Sequence, residues 1–145
     1  MYNRILVTLD ASPCDRTIID HIKSLAKLCG SSVVLLHVAD GWAARRFGKD
    51  AVSHEISEDT SYLKQVQTEF EAAGIPTTAE LAYGEPRDQI VKWIQGAVEG
   101  GQKTCDLLAM STHGHRLMGD LLFGTTAMHV QHRVDIPVLL IRMPK

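Results

Sequence analysis

Residues 4–13 of the chain read RILVTLDASP, a short apolar run that ends in a turn. Branched aliphatic residues between turn signals are typical of a buried strand. Ser12 followed by Pro13 predicts a helix start, because serine caps free backbone N–H groups and proline fits the first helical turn. Apolar residues then recur at helical spacing until Gly30: Ile18, Ile22, Leu25 and Cys29. This stretch therefore predicts a strand followed by a helix.

The same alternation of strand and helix continues along the chain. Residues 32–38 form a nearly continuous apolar run, which is typical of a parallel strand covered on both faces. Further strands are predicted at 77–83, 106–111 and 137–142, and further helices over 63–73, from 84–86 onward and over 125–133. The pattern predicts an α/β fold, a doubly wound five-stranded parallel sheet with strand order 3-2-1-4-5 and helices on both faces.

Length and composition narrow the function classes. The 145 residues suit one domain, 1–145. Fifteen Lys and Arg against seventeen Asp and Glu give a net charge of −2, so a nucleic-acid-binding surface is not expected. No apolar run approaches the roughly 20 residues of a membrane span, and no signal peptide is predicted at the start. Three cysteines without a CxxC pair indicate reduced thiols. We expect a cytoplasmic protein without membrane insertion.

Ligands of such sheets bind at the carboxyl ends of the strands, where the winding direction reverses. The loop after the fourth predicted strand contains Gly114, Gly119 and Gly124, each five residues from the next. Glycine lets backbone N–H groups approach an anion closely, and Gly124-Thr125-Thr126 would open a helix whose free N–H groups attract phosphate. The loop is therefore a candidate phosphate site, and the alternative is a flexible loop followed by a helix cap.

Other known motifs fit this loop less well. A P-loop requires Lys after its last glycine, but Asp120 follows Gly119. Residues 112–115 match the TxGH string of nucleotidylyl transferases, although that family carries it after the first strand. His129 and His132 are spaced like metal ligands, but no third ligand is apparent, so no metal site is predicted. No catalytic residue is predicted either.

The loop resembles the ATP-binding subgroup of the universal stress protein (UspA-like) family, whose pattern is G-x2-G-x9-G-[ST]. Gly114, the nine residues after it and Gly124-Thr125 fit the last three elements, whereas Ser111 replaces the first glycine. The resemblance extends over the chain through residues 5–12, 37–38, 84–86 and 136–141. It implies the same α/β fold.

The resemblance also implies three groups of nucleotide-binding residues. The group that contacts adenine and ribose, or lines their pocket, is Thr8, Leu9, Asp10, Ala11 and the backbone of Val38. The group that contacts ribose after the fourth strand is Met110 and Ser111. The group around the triphosphate is His113, Gly114, Arg116, Leu117, Gly119, Gly124, Thr125 and Thr126.

By the same resemblance, the expected function is ATP-dependent regulation in a stress response. Bound ATP, with magnesium as a candidate companion ion, would set conformation, assembly or partner choice. A homodimer or higher homo-oligomer through the C-terminal strand is implied, and a membrane transporter, of the TRAP type that carries ectoine, is a candidate partner. The alternatives are a slow ATPase or nucleotidylyl transferase at the same site, and a nucleotide-free scaffold acting through its dimer surface.

Overall fold

The computed structural model of the protein describes residues 1–39, 49–96, 105–112 and 121–142. For residues 49–53, 55 and 121–125 it describes the backbone only. The predicted triphosphate residues His113, Gly114, Arg116, Leu117 and Gly119 lie outside the described residues. The predictions at these positions therefore stay predictions.

Five parallel strands form one sheet in the order β3-β2-β1-β4-β5. The strands are β1 (Arg4–Leu9), β2 (Ser32–Ala39), β3 (Thr77–Tyr83), β4 (Leu107–Ser111) and β5 (Val138–Ile141). The helices are α1 (Asp15–Cys29), α2 (Lys49–Ala72), α3 (Pro86–Ile94) and α4 (Leu121–Gln131). The predicted fold class and strand order are confirmed.

Helices cover both faces of the sheet. On one face, α1 and α2 pack against alternate residues of β1 and β2, around the fully buried Phe70 and Ile18. On the other face, α3 and α4 pack around Trp93 and Val130. β1 and β2 are therefore buried on both sides, as the nearly continuous apolar run of β2 predicted for that strand. Within the described ranges, no helix is long and apolar enough to cross a membrane.

Three helix boundaries differ from the sequence-based prediction. α1 begins at Asp15, after a tight turn in which the Ser12 hydroxyl accepts the Cys14 N–H at 3.2 Å, so Ser12 supports the turn and not the helix itself. α2 begins at Lys49, well before the apolar repeat that predicted it. α4 begins at Leu121, so Gly124 lies inside the helix, and its predicted place at the helix start is wrong.

Charged side chains connect α1 to α2. The Arg16 guanidinium donates to both carboxylate oxygens of Glu69, at 3.1 and 2.6 Å, and the Lys23 ammonium also donates to Glu69. These donors hold the pKa of Glu69 below its usual range. Because the groups are partly exposed, the contacts contribute modestly to stability. They join α1 to the C-terminal half of α2.

Candidate functional site

The carboxyl ends of β1, β2 and β4 meet at one edge of the sheet. β1 lies between the other two, with Leu9 opposite His37 of β2 and Val7 opposite Ala109 of β4. The chain winds in opposite directions on the two sides of the gap between β1 and β4. This is the place where open α/β sheets bind ligands. The fold therefore puts the candidate site at the loop after β1.

The loop after β1 contains one strained backbone position and is held by local hydrogen bonds. Ala11 has a φ of 61°, in the left-handed region that residues other than glycine rarely adopt. The half-buried Asp10 accepts the backbone N–H of Ser12 on Oδ1 at 3.1 Å. A strained backbone conformation of this kind persists only where the surrounding contacts hold it in place.

Asp15 supplies those contacts from the first turn of α1. Its carboxyl group accepts the backbone N–H of Ala11 at 2.9 Å and, more weakly, that of Asp10 at 3.3 Å. Consecutive N–H groups beside a left-handed residue form an anion-binding nest. Here a side chain of the protein itself occupies the nest, so these two N–H groups are not open to a phosphate.

The Asp15 carboxyl group also contacts a side chain of α2. The Tyr62 hydroxyl of α2 donates to Asp15 Oδ2 at 2.6 Å. Burial raises the pKa of Tyr62 further above its ordinary value, so the phenol stays protonated and acts as the donor. Burial and the neighbouring Asp10 carboxylate raise the pKa of Asp15 to about 7. An acid in a first helical turn usually stays ionised beside the helix dipole, but here burial outweighs that effect.

A second buried polar pair stands beside the loop. The His37 ring, 3% exposed, directs Nδ1 to the Leu9 carbonyl at 2.8 Å and Nε2 to Asp59 Oδ2 at 3.0 Å. A carbonyl oxygen only accepts, so Nδ1 carries a hydrogen and one further proton lies between Nε2 and the carboxyl. The pair therefore ties α2 to the last residue of β1 and to the end of β2.

The other predicted adenosine residues lie along the same edge. Thr8 and Val38 are half-buried, Leu9 is buried in the core, and Ala11 is exposed. At the end of β4, Met110 is buried and Ser111 is half-buried. The structure thus brings the predicted residues of β1, β2 and β4 together.

The predicted phosphate residues are described only in part. Gly124 and Thr125 are described by their backbone within α4, and the Thr126 side chain is half-buried there. His115 of the TxGH string, like His113, lies outside the described residues.

Two residues of the site were not predicted from sequence: Asp59 and Tyr62. A signal existed for the first, because a histidine within the apolar run of β2 needs a buried polar partner. Nothing in the local sequence identifies that partner. The contacts of Asp15 with the loop were not predicted from sequence either, because an acid shortly after Ser12-Pro13 is common in a first helical turn.

Comparison with known proteins identifies the family of this chain. The family model described as the universal stress protein family matches residues 1–142. A universal stress protein of Methanocaldococcus jannaschii is 24% identical over 161 aligned positions, which cover 98% of this chain and 96% of that protein.

Solved structures share the fold at low sequence identity. The universal stress protein UspA of Lactobacillus plantarum superposes with a TM-score of 0.82 at 19% identity, covering 97% of this chain and 98% of that one. A universal stress protein of Archaeoglobus fulgidus in complex with dAMP gives a TM-score of 0.68 at 22% identity, covering 97% and 98%. At these identities, the likeness establishes the architecture.

Proposed function

The chain belongs to the universal stress protein family, and from this premise we propose that it is an ATP-binding regulatory protein. The observation that carries the proposal is the position of Asp10, a half-buried carboxylate directly after the central strand, where the winding reverses. The dAMP complex of the Archaeoglobus fulgidus relative supports an adenine nucleotide as the ligand class.

The β1–α1 loop is suited to the nucleoside part of the ligand. Its nest is occupied by Asp15, so the loop does not offer the Asp10 and Ala11 N–H groups to a phosphate. A carboxylate at Asp10 accepts hydrogen bonds from ribose hydroxyls or an adenine amino group. The phosphates, with magnesium as their companion ion, are assigned to the glycine-containing segment 113–120 and to Gly124, Thr125 and Thr126, which follow the first residues of α4.

In this proposal the bound nucleotide acts as a signal. ATP would set the conformation of the site edge and through it the assembly or partner choice of a cytoplasmic stress-response protein. The proposed assembly is a homodimer through β5, the outer strand on one side of the sheet. The proposed partner class is a membrane transporter.

The direct test is to denature the purified protein and identify any nucleotide that it releases. ATP at a stoichiometry near one per chain supports the proposal. Protein that releases no nucleotide and binds none in a subsequent titration contradicts it. Release of a different nucleotide would keep the site and change its ligand.

Asp10→Ala is expected to weaken ATP binding by about 10- to 150-fold. A hydrogen bond to a charged group contributes about 1.5 to 3 kcal/mol, and 1.4 kcal/mol corresponds to tenfold. Isothermal titration measures the dissociation constant, and the melting temperature verifies folding. Asp20→Ala is the matched control, because Asp20 is an exposed acid on α1 that pairs with Arg16 and Lys23. Equal affinities in the two variants would remove Asp10 from the site.

Ser111→Gly tests the position where the family pattern has glycine. Ser111 is half-buried at the end of β4, opposite Ile141 of β5. If ribose lies far enough away for the hydroxymethyl group, the change leaves the ATP dissociation constant within about threefold, below about 0.7 kcal/mol. A hundredfold gain in affinity would show that the serine side chain obstructs the pocket.

A further inference from the structure

Buried side chains hold the backbone groups of three consecutive residues at the candidate site. The Leu9 carbonyl accepts from His37 Nδ1 at 2.8 Å. The Asp15 carboxyl group accepts the Ala11 N–H at 2.9 Å and the Asp10 N–H at 3.3 Å. The two side chains that make these contacts are only 3% and 2% exposed, respectively. This short stretch of backbone is therefore fixed from inside the protein.

Both of these buried side chains are held in turn by α2. The Tyr62 hydroxyl donates to Asp15 Oδ2 at 2.6 Å, and Asp59 Oδ2 lies 3.0 Å from His37 Nε2. Asp59 and Tyr62 are three residues apart, so they lie on the same face of the helix. One face of α2 therefore reaches the end of β1 and the loop after it by two separate routes.

The route from Tyr62 ends on the strained residue of the loop. Within the described ranges, Ala11 is the one residue other than glycine with a positive φ, 61°. In this conformation the β-carbon approaches the following carbonyl oxygen, so the conformation persists only where contacts support it. The Ala11 N–H donates to the same Asp15 oxygen that accepts from Tyr62. Removing the Tyr62 hydroxyl therefore removes one of the contacts that hold this carboxyl group under the loop.

The first half of α2 depends on these polar contacts more than the second half does. From Leu63 onward the helix packs into the core through Val66 and Phe70. Among the described side chains before Leu63, the one buried residue is Asp59, and the hydrogen bonds to other elements come from Asp59 and Tyr62. A helix segment with few buried apolar contacts can open locally while the rest of the helix stays packed.

We propose that Tyr62 is a positioning residue of the nucleotide site, and that a nucleotide bound at residues 9–11 stabilises the first half of α2 in its docked position, in which Asp59 and Tyr62 make these contacts. The inference rests on the nucleotide site proposed above and names the element that responds to it. Linkage is reciprocal: a helix position that favours the binding conformation of the loop is itself favoured by the bound ligand. α2 is then the element through which ATP acts on assembly or partner choice.

Tyr62→Phe removes the hydroxyl and keeps the ring in the core. The ATP dissociation constant, measured by isothermal titration of the full chain, is expected to increase about tenfold, the equivalent of one hydrogen bond of typical strength. Tyr2→Phe is the matched control, because Tyr2 packs against the same core cluster but precedes β1, at the opposite edge of the sheet. An unchanged dissociation constant in Tyr62→Phe overturns the positioning role and leaves the proposed function intact.

Ala11→Gly distinguishes the positioning role from a general loss of stability. Glycine adopts a positive φ without steric strain, so the loop depends less on support from Tyr62. Combined with Ala11→Gly, Tyr62→Phe is expected to change the ATP dissociation constant by less than about threefold. A purely structural hydroxyl would lower the melting temperature and leave the dissociation constant unchanged in both backgrounds. A tenfold loss of affinity that persists with Ala11→Gly contradicts the route through Ala11.

Hydrogen exchange of the wild-type protein tests the response of α2 without any variant. Saturating ATP is expected to slow the exchange of the amides of residues 56–63 by about fivefold or more. The amides of residues 90–94 in α3, on the other face of the sheet, are the internal reference and are expected to change by less than about twofold. No slowing in α2, or equal slowing in the two helices, overturns the coupling.

A readout without nucleotide separates the two proposals. In nucleotide-free protein, the Ala11 amide is expected to exchange faster in Tyr62→Phe than in wild type, and at the wild-type rate in Tyr2→Phe. If this difference is found in a protein that does not bind ATP, the proposed function and the coupling are overturned and the support of the loop by α2 is retained. Equal exchange in the three proteins overturns that support.

Discussion

Asp59→Ala is expected to lower the free energy of unfolding by about 3–5 kcal/mol, the cost of leaving one member of a buried pair without its partner. Asp59 is 7% exposed and its Oδ2 lies 3.0 Å from His37 Nε2. After the change, Nε2 of His37 faces the protein interior without a hydrogen bond. Because the other ring nitrogen remains on the Leu9 carbonyl, the ring cannot turn to satisfy both atoms. Urea denaturation at pH 7 measures the loss.

The neighbouring residue provides the matched control. Glu58 also pairs with a histidine, His54, at 2.9 Å, but both side chains are exposed. Glu58→Ala is expected to change stability by less than about 0.5 kcal/mol, as for other exposed ion pairs. Equal losses in Glu58→Ala and Asp59→Ala would mean that burial does not determine the strength of the contact.

Asp59→Asn distinguishes the contribution of the hydrogen bonds to stability from that of the ion pair. The asparagine amide can donate to a neutral Nε2 while Nδ1 still donates to Leu9. A loss of about 1 kcal/mol or less, typical of exchanging one satisfied hydrogen bond for another, would assign the stability to the hydrogen bonds. A loss as large as that of Asp59→Ala would assign it to the ion pair.

Local sequence predicted the parts of this fold that depend on apolar periodicity and on turn residues. The run of β2 predicted a strand buried on both faces, and Gly30 ends α1 in the left-handed conformation at φ 68°. The predicted strand order placed the strand at 77–83 at an edge, and β3 is the outer strand opposite β5. These features follow from steric and burial rules that act over a few residues.

The first half of α2 was not predicted, for a physical reason. Its sequence before Leu63 has few apolar residues, so no hydrophobic stripe marks it as a helix. In the described part of this segment, Asp59 and Tyr62 make buried polar contacts with β2 and α1. Partners that lie 22 and 47 residues apart cannot be identified from local periodicity. The same limit explains why Asp10 was predicted as a site residue while its supporting network was not.

Leu140→Pro is expected to convert the proposed homodimer into a monomer without unfolding the protein. Odd-numbered residues at the two ends of β5 accept hydrogen bonds from the β4 side: Leu108 N–H donates to the Pro137 carbonyl and Thr112 N–H to the Ile141 carbonyl, both at 3.0 Å. In a parallel ladder the intervening residues direct their N–H and C=O groups to the opposite side. The Leu140 N–H therefore faces away from the sheet, where a second copy of β5 would pair with it.

Proline at this position removes an outward donor and keeps the bonds to β4, which is why edge strands tolerate it. Light scattering at micromolar concentration is expected to give twice the chain mass for wild type and one chain mass for Leu140→Pro. Leu140→Thr keeps the N–H and the strand preference, and at 39% exposure Leu140 contributes little to the core, so this control should remain dimeric. A folded Leu140→Pro dimer would place the interface elsewhere, and a monomeric wild-type protein would remove the proposed assembly.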